Sequence, residues 1–286
     1  MRSRSCARRA LPTDGVTRTV LITGASSGIG EACAVRLARA GWRVYGGIRT
    51  AEAGDSLRER GIEPLTLDVT SPADVSSAAE RVGGTLDGLV DNAGIAIAAP
   101  LELVPLDELR RQLEVNVVGQ VAVTQAFLPA LRRSRGRIVL MGSIGGRSAL
   151  PFLGPYAASK HALEAVADSL RVELRPWGIA VSIVEPASIA TAIWQKGATR
   201  AEELQAGFAP DVAELYAPAV ASFRKVALSR GPGADPDDVA KVVEHALSAG
   251  RPRARYVVGR DARIRAAIER LPTRLRDRVL AKALTG

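Results

Sequence analysis

Cysteine is nearly missing from this chain. Its 286 residues hold two, Cys6 and Cys33, and neither has a His or Cys neighbour at metal-ligand spacing. That excludes a disulfide framework and a cysteine-built metal site, and a reducing cytoplasm is the expected setting. Aromatic residues are scarce too, at 4%. No apolar run approaches the roughly 18 residues that a membrane-spanning helix needs. The N-terminus is basic but has no apolar stretch of the kind a secretory signal requires.

Charge is plentiful but unevenly placed. The chain carries a net charge of +9. Residues 1–18 hold five Arg and one Asp, net +4, and residues 251–286 hold eleven Arg or Lys against three Asp or Glu, net +8. The stretch between holds 23 basic and 26 acidic residues, net −3. The body is therefore slightly acidic, and the basic character sits at its ends. A nucleic-acid binder should show a basic patch interleaved with aromatics, or a known module. Neither is present, so nucleic acid is not an expected partner.

What is there reads as one large domain: 47% hydrophobic residues over this length suffice for a full core. Residues 1–18, rich in Arg and Ser, read as a disordered leader. From Thr19 short apolar strands alternate with helices. Strands are expected at 19–23, 43–48, 62–67, 86–90, 137–141 and 180–184, the last stopped by Pro186. Helices are expected at 28–40, 51–60, 72–82, 105–132 and 155–175. Ser71 and Asp235 stand as N-caps, each followed by Pro at the first helical position. Repeated strand–helix units imply a doubly wound parallel α/β sheet of the Rossmann type, in three layers with helices on both faces. Beyond Pro186 the alternation fails. Residues 187–233 read as loop and short helices, a helix follows to Ala249, and Arg255–Val258 offers a last strand. The basic tail, 261–286, reads as helix broken at Pro272.

Chemistry gathers at strand ends. Thr23-Gly24-Ala25-Ser26-Ser27-Gly28-Ile29-Gly30 follows the first strand and opens the first helix. Such glycines let the backbone turn sharply against a pyrophosphate, and the helix N-terminus supplies N–H groups. The spacing is Gly-x-x-x-Gly-x-Gly, not the Gly-x-Gly-x-x-Gly of many dinucleotide enzymes. The second strand ends at Arg49 with no carboxylate. An acid there would suit the ribose of NAD, whereas a guanidinium suits the 2′-phosphate of NADP, so NADP is the expected cofactor with NAD second. Asp68 and Val69 should lie over the adenine, and Asn92, Ala93 and Gly94 along the nicotinamide half. Tyr156 and Lys160 fall on one helix face one turn apart. There a Lys charge favours ionisation of the phenol, as proton transfer near neutral pH requires. His161 points about 100° away around that helix and, like His245, reads as packing.

Together these motifs resemble the short-chain dehydrogenase/reductase family over about residues 19–260. The residues that carry the likeness are Thr23-Gly24-x-x-x-Gly28-Ile29-Gly30, Asn92-Ala93-Gly94, Asn116, Ser143, Tyr156-x-x-x-Lys160 and the Pro186 to Thr191 segment. The resemblance implies an NAD(P)-linked oxidoreductase that needs no metal. It implies Tyr156 as general acid or base and Ser143 as partner of the substrate oxygen. It implies Lys160 on the nicotinamide ribose and Asn116 interrupting a helix to hold a water. One departure stands out: Ala187 replaces the family's Gly after Pro186, a strain of roughly 1 kcal/mol if that position needs positive φ. The backbone of Pro186, Ala187, Ile189 and Thr191 should still meet the nicotinamide. The 253–262 stretch also looks like the retinol and hydroxysteroid dehydrogenase branch.

The 187–230 region is expected to act as a lid. Ile95, Ile97, Phe152, Leu153, Ile189, Ile193, Trp194, Leu204, Phe208, Leu215 and Tyr216 suggest an apolar pocket for a hydrophobic ketone or secondary alcohol. The alternatives are a non-catalytic dinucleotide-binding regulator, or a lyase or epimerase with a retained cofactor. The basic tail is expected to pack on the body or on a second subunit rather than on a membrane surface. The family suggests a homodimer or homotetramer built on helices 105–132 and 155–175.

Overall fold

The structure, a computed structural model, describes residues 17–229 and 233–285. Of the expected leader, residues 1–16 lie outside the described residues, as does Cys6, while the Arg18 guanidinium covers the Trp42 ring at 4.1 Å.

Seven short strands form one parallel sheet: β1 Thr19–Ile22, β2 Arg43–Ile48, β3 Glu63–Thr66, β4 Gly88–Asp91, β5 Arg137–Met141, β6 Ala180–Pro186 and β7 Arg255–Val258. Their order is β3-β2-β1-β4-β5-β6-β7, all neighbours parallel. The strands are apolar because both faces are covered. In β1, Val20 and Ile22 pack with one face's helices, α1 (Gly28–Arg39), α2 (Ala53–Arg58) and α9 (Pro236–Ser248). Leu21 points the other way, toward α3 (Pro72–Val82), α5 (Gly119–Ser134) and α6 (Gly154–Glu173). The chain leaves β1 toward β2 on one side and later returns to β4 on the other. This reversal opens a crevice at the strands' carboxyl ends.

The expected caps form. Ser71 Oγ accepts from the Asp74 amide at 3.2 Å, and the Asp235 carboxylate accepts from the Asp237 amide at 2.8 Å. The long helix at 105–132 is interrupted: α4 (Leu106–Leu113) passes through one π-helical turn, Glu114–Val118, into α5. Strand β6 does not stop at Val184. It runs on to Pro186, which pairs with Val258 beyond the end of β5, where a missing N–H breaks no central ladder.

The largest difference lies at 187–233. Instead of short helices there are two long ones, α7 (Ala192–Gln205) and α8 (Pro210–Ser229). They cover the crevice without a broad core-facing stripe, so the usual apolar periodicity is missing. Only Gly197 and Leu204 are buried in α7. Their Ala, Glu, Leu and Arg content favours helix all the same. The tail divides at Pro272 into α10 (Arg260–Ile268) and α11 (Thr273–Thr285), and α11 packs on α8. Among the described residues no helix is long and apolar enough to cross a membrane.

Candidate active site

A cavity of about 600 Å³ opens at the carboxyl ends of the central strands. Gly24, Ser26, Ser27, Gly28 and Ile29 form one wall. Gly24 and Gly28 adopt φ of +65° and +61°, which bends the chain from β1 into α1 at low cost only for glycine. Gly30 does not line the cavity. Its Cα faces the Gly24 carbonyl and the Asn92 side chain so closely that no Cβ fits. Ser27 caps α1 without a side-chain hydrogen bond, leaving first-turn N–H groups directed at the cavity. A cradle of glycine backbone and unclaimed N–H donors fits a dinucleotide pyrophosphate.

The next wall is stitched to this turn. Thr23 Oγ1 accepts from the amides of Asn92 and Ala93, both at 2.9 Å. Asn92 Nδ2 donates back to the carbonyls of Thr23 at 3.0 Å and Gly24 at 3.2 Å. Arg49, Asp68, Val69, Asn92, Ala93 and Gly94 all line the cavity. Burial pushes the Asp68 carboxyl up, but hydrogen bonds from Thr70 and the Arg49 charge outweigh it and hold it below its ordinary value. Arg49 thus stands beside a carboxylate supplied by the neighbouring strand end.

Ser143 leaves β5 in extended conformation, and its Oγ accepts from the Gly145 amide at 3.0 Å. The Ser143 hydroxyl lies beside the buried Tyr156 phenol and favours its ionised form. Lys160 is 4% exposed, and its Nζ donates to the Met141 carbonyl at 2.7 Å, 5.8 Å from the centre of the Tyr156 ring. All three line the cavity. Their electrostatics differ from the expectation. Burial raises the Tyr156 phenol, opposed by the Ser143 hydrogen bond and the charge of Arg265. Burial also pushes the Lys160 ammonium down, to about 8. Lys160 is tied to a carbonyl, and a further cation that draws the phenol down, Arg265, comes from α10.

Asn116 sits in the π turn, fully buried. Its Oδ1 accepts from the Ile95 amide at 2.9 Å, and its Nδ2 donates to the Ile95 carbonyl at 3.0 Å and to Ser159 Oγ at 3.1 Å. Two further amides join it. Gln112 donates to the Ile95 carbonyl and accepts from the Ile97 amide, both at 2.8 Å, and Gln120 donates to the Ala93 carbonyl at 2.8 Å. Sequence reasoning missed Gln112 and Gln120, although amides at 112, 116 and 120 share one helix face.

On the far side, Pro186, Ala187, Ile189, Thr191, Ile193 and Trp194 line the cavity. Ala187 carries no strain. Among the described residues only Arg135 and Phe152 are non-glycines with positive φ, and the Ala187 amide simply extends the ladder to Val258 at 3.0 Å. Trp194 meets the Tyr156 ring edge-on, 5.5 Å between centres.

The apolar pocket is narrower than expected. Ile95, Ile193 and Trp194 belong to it, but Phe152, Leu153 and Phe208 do not line the cavity. Phe152 packs edge-on against Phe223 at 5.6 Å, so its ring serves the contact between α8 and the body. Ile97 and Leu204 are core residues, Leu215 is exposed, and the Tyr216 hydroxyl donates to Glu102 at 2.7 Å. His245 meets the Tyr256 ring edge-on at 5.8 Å but, against expectation, is itself exposed. His161 is exposed rather than packed, and its Nδ1 reaches the Ala157 carbonyl at 2.8 Å.

Asp91, just before Asn92, is fully buried, with Thr124 donating to it at 2.7 Å. Burial raises its carboxyl to about 7. A raised folded-state value means that stability is full below the unfolded value near 4 and falls as pH rises toward 7. Asp91→Asn is therefore expected to stabilise the protein by about 1–3 kcal/mol at pH 8 and to change little at pH 4. Thermal melts at the two pH values check this, and equal shifts would refute it.

The sequence matches the short chain dehydrogenase family profile over residues 18–202. It is 39% identical over 251 residues to human 17-beta-hydroxysteroid dehydrogenase type 1, covering 83% of this chain and 76% of that protein. It is 34% identical over 284 residues to the NADPH-dependent 3-dehydrocapnine reductase of Ornithobacterium rhinotracheale, covering 93% and 97%. A short chain dehydrogenase from Burkholderia cenocepacia solved in complex with NADP superposes with a TM-score of 0.72 at 26% identity, covering 94% and 98% of the two chains.

Proposed function

The chain belongs to the short-chain dehydrogenase/reductase family and is an NAD(P)-dependent oxidoreductase, and on that premise we propose that it interconverts hydrophobic ketones and secondary alcohols with NADP preferred. One observation carries the reading: Ser143, Tyr156 and Lys160 converge on the cavity whose opposite wall is the glycine turn. The glycine turn would hold the pyrophosphate of a nicotinamide dinucleotide, which would supply or accept the hydride.

The chain's own groups do the rest. Tyr156 gives a proton to the substrate oxygen in reduction and takes one in oxidation, while Ser143 donates to that oxygen as charge develops. Lys160, buried one helical turn from Tyr156, would hold the ribose hydroxyls of the bound nucleotide. The Asn116 side chain is spent on Ile95 and Ser159, so in this proposal it holds the loop between β4 and α4 rather than a water. Ile95, Ile193 and Trp194 give the substrate an apolar seat, in keeping with the steroid named for the human relative. Leu106, Val118 and Val172, exposed on the helices at 106–134 and 154–173, support self-association as a homodimer or homotetramer.

Arg49 tests the cofactor preference. A guanidinium on a 2′-phosphate contributes on the order of 1.5–3 kcal/mol. Arg49→Asp is expected to weaken NADP binding about ten- to hundredfold and to spare NAD. Calorimetric titration with each nucleotide measures both, and equal losses would sink the assignment. The activity itself is tested by following oxidation of NADPH against a panel of apolar ketones. Product formed with no net change in the nicotinamide would point to a lyase or epimerase instead.

A further inference from the structure

The proposed mechanism leaves the basic C-terminal segment without a task, yet one of its arginines reaches back to the active site. Helix α10 packs against the 3₁₀ turn Ile144–Gly146 that directly follows Ser143. From α10, Arg265 Nη2 donates to the Ser148 carbonyl at 2.5 Å. Ser148 is fully buried, and its amide closes the turn on the Ile144 carbonyl at 2.9 Å. The same loop is fastened on its other side, where Arg147 donates to the fully buried Glu185 of β6 at 2.6 Å. The loop that presents Ser143 is thus held between two guanidinium anchors.

We propose that Arg265 is a positioning residue: it fixes the Ser143 loop from α10 and places a positive charge behind the Tyr156 phenol. The proposal rests on the Tyr156 assignment above. The groups around that phenol are Ser143 on its loop, Lys160 on α6, the Trp194 ring on α7 and Arg265 on α10. Lys160 is engaged by Met141, and the nearby carboxylates Glu164 and Glu185 face Arg255 and Arg147. Arg265 is a second cation beside Lys160 at this phenol, and its charge favours the phenolate.

The test reads the phenol directly and needs no substrate. The protein has four tyrosines, and subtracting the near-ultraviolet pH titration of Tyr156→Phe isolates the tyrosinate signal of Tyr156. In Arg265→Gln that signal is expected to move to higher pH, leaving about three- to tenfold less phenolate at a fixed pH. Arg265→Lys, which keeps the charge, should restore most of it, and a purely structural anchor would show no such rescue. If the glutamine variant fails to fold, Arg265→Met, which keeps the stem's packing, takes its place. An unchanged Tyr156 titration in the neutral variant, or equal shifts in the neutral and lysine variants, overturns the proposal. A displaced titration in a protein that turns over no ketone would uphold Arg265 and defeat the redox reading, so the two fail separately.

Discussion

Tyr156→Phe is expected to lower the rate of ketone reduction by about a thousandfold, within the range that a positioned proton donor contributes. NADPH affinity should hold. The substitution removes one oxygen and keeps the ring that packs on Trp194 at 5.5 Å, so the site's shape survives. The lost hydroxyl leaves Ser143 with its Gly145 partner and an open donor, which cannot replace a proton source. The pH behaviour has a sign. Burial raises the Tyr156 phenol above its ordinary value, so the acid form dominates at neutral pH. Reduction, which consumes that proton, should stay level across the neutral range and fall only in the alkaline. Oxidation, which needs the phenolate, should climb over the same alkaline range. Steady-state kcat in both directions against pH measures this. Turnover of Tyr156→Phe at the parent rate would remove Tyr156 from the chemistry.

Much of this site can be read from sequence because its motifs act through the backbone or through neighbours on one helix. The glycine turn is local: Gly24 and Gly28 need positive φ wherever that chain reversal occurs. Tyr156 and Lys160 are joined by helix geometry alone. What stays hidden depends on distant partners. Arg265 lies 109 positions beyond Tyr156, and only the docking of α10 on the 144–146 turn brings it near. Asn116 marks the helix interruption, but its partner Ile95 is set by the β4 loop, and no periodicity reports it. The lid helices escape for another reason. Periodicity signals a helix that buries one face in a core, and α7 instead lies over a cavity. The exposed Leu215 and the outward Phe152 show the limit of reading every apolar residue near a site as its lining.

Gly30→Ala is the second change with a large expected effect, and its cause is space rather than backbone freedom. Gly30 is not among the positive-φ glycines, so alanine suits its helical conformation and by intrinsic propensity would strengthen α1. The added methyl would nonetheless collide with the Gly24 carbonyl oxygen and lie 2.6 Å from Asn92 Nδ2. Neither neighbour can yield freely. The Gly24 carbonyl is held by Asn92, and Asn92 in turn is held to Thr23 through both its side chain and its amide. Relief must come from moving α1 off the turn or from breaking the Asn92 bonds. Overpacking of this kind costs about 1–3 kcal/mol and more where backbone is the obstacle, so about 3 kcal/mol or above is expected here. The helical propensity gain recovers only about 1 kcal/mol. The displaced elements are the two that form the nucleotide cradle, so NADPH affinity should drop by about a hundredfold or more even in molecules that fold. Denaturant unfolding and nucleotide titration on one preparation check both halves. Gly41→Ala is the control: Gly41 has open space around it and φ of +80°, so alanine there should cost roughly 1 kcal/mol of stability through strain and leave nucleotide affinity unchanged. A Gly30→Ala protein that melts and binds NADPH like the parent would mean that Gly30 does not set the distance between α1 and the turn.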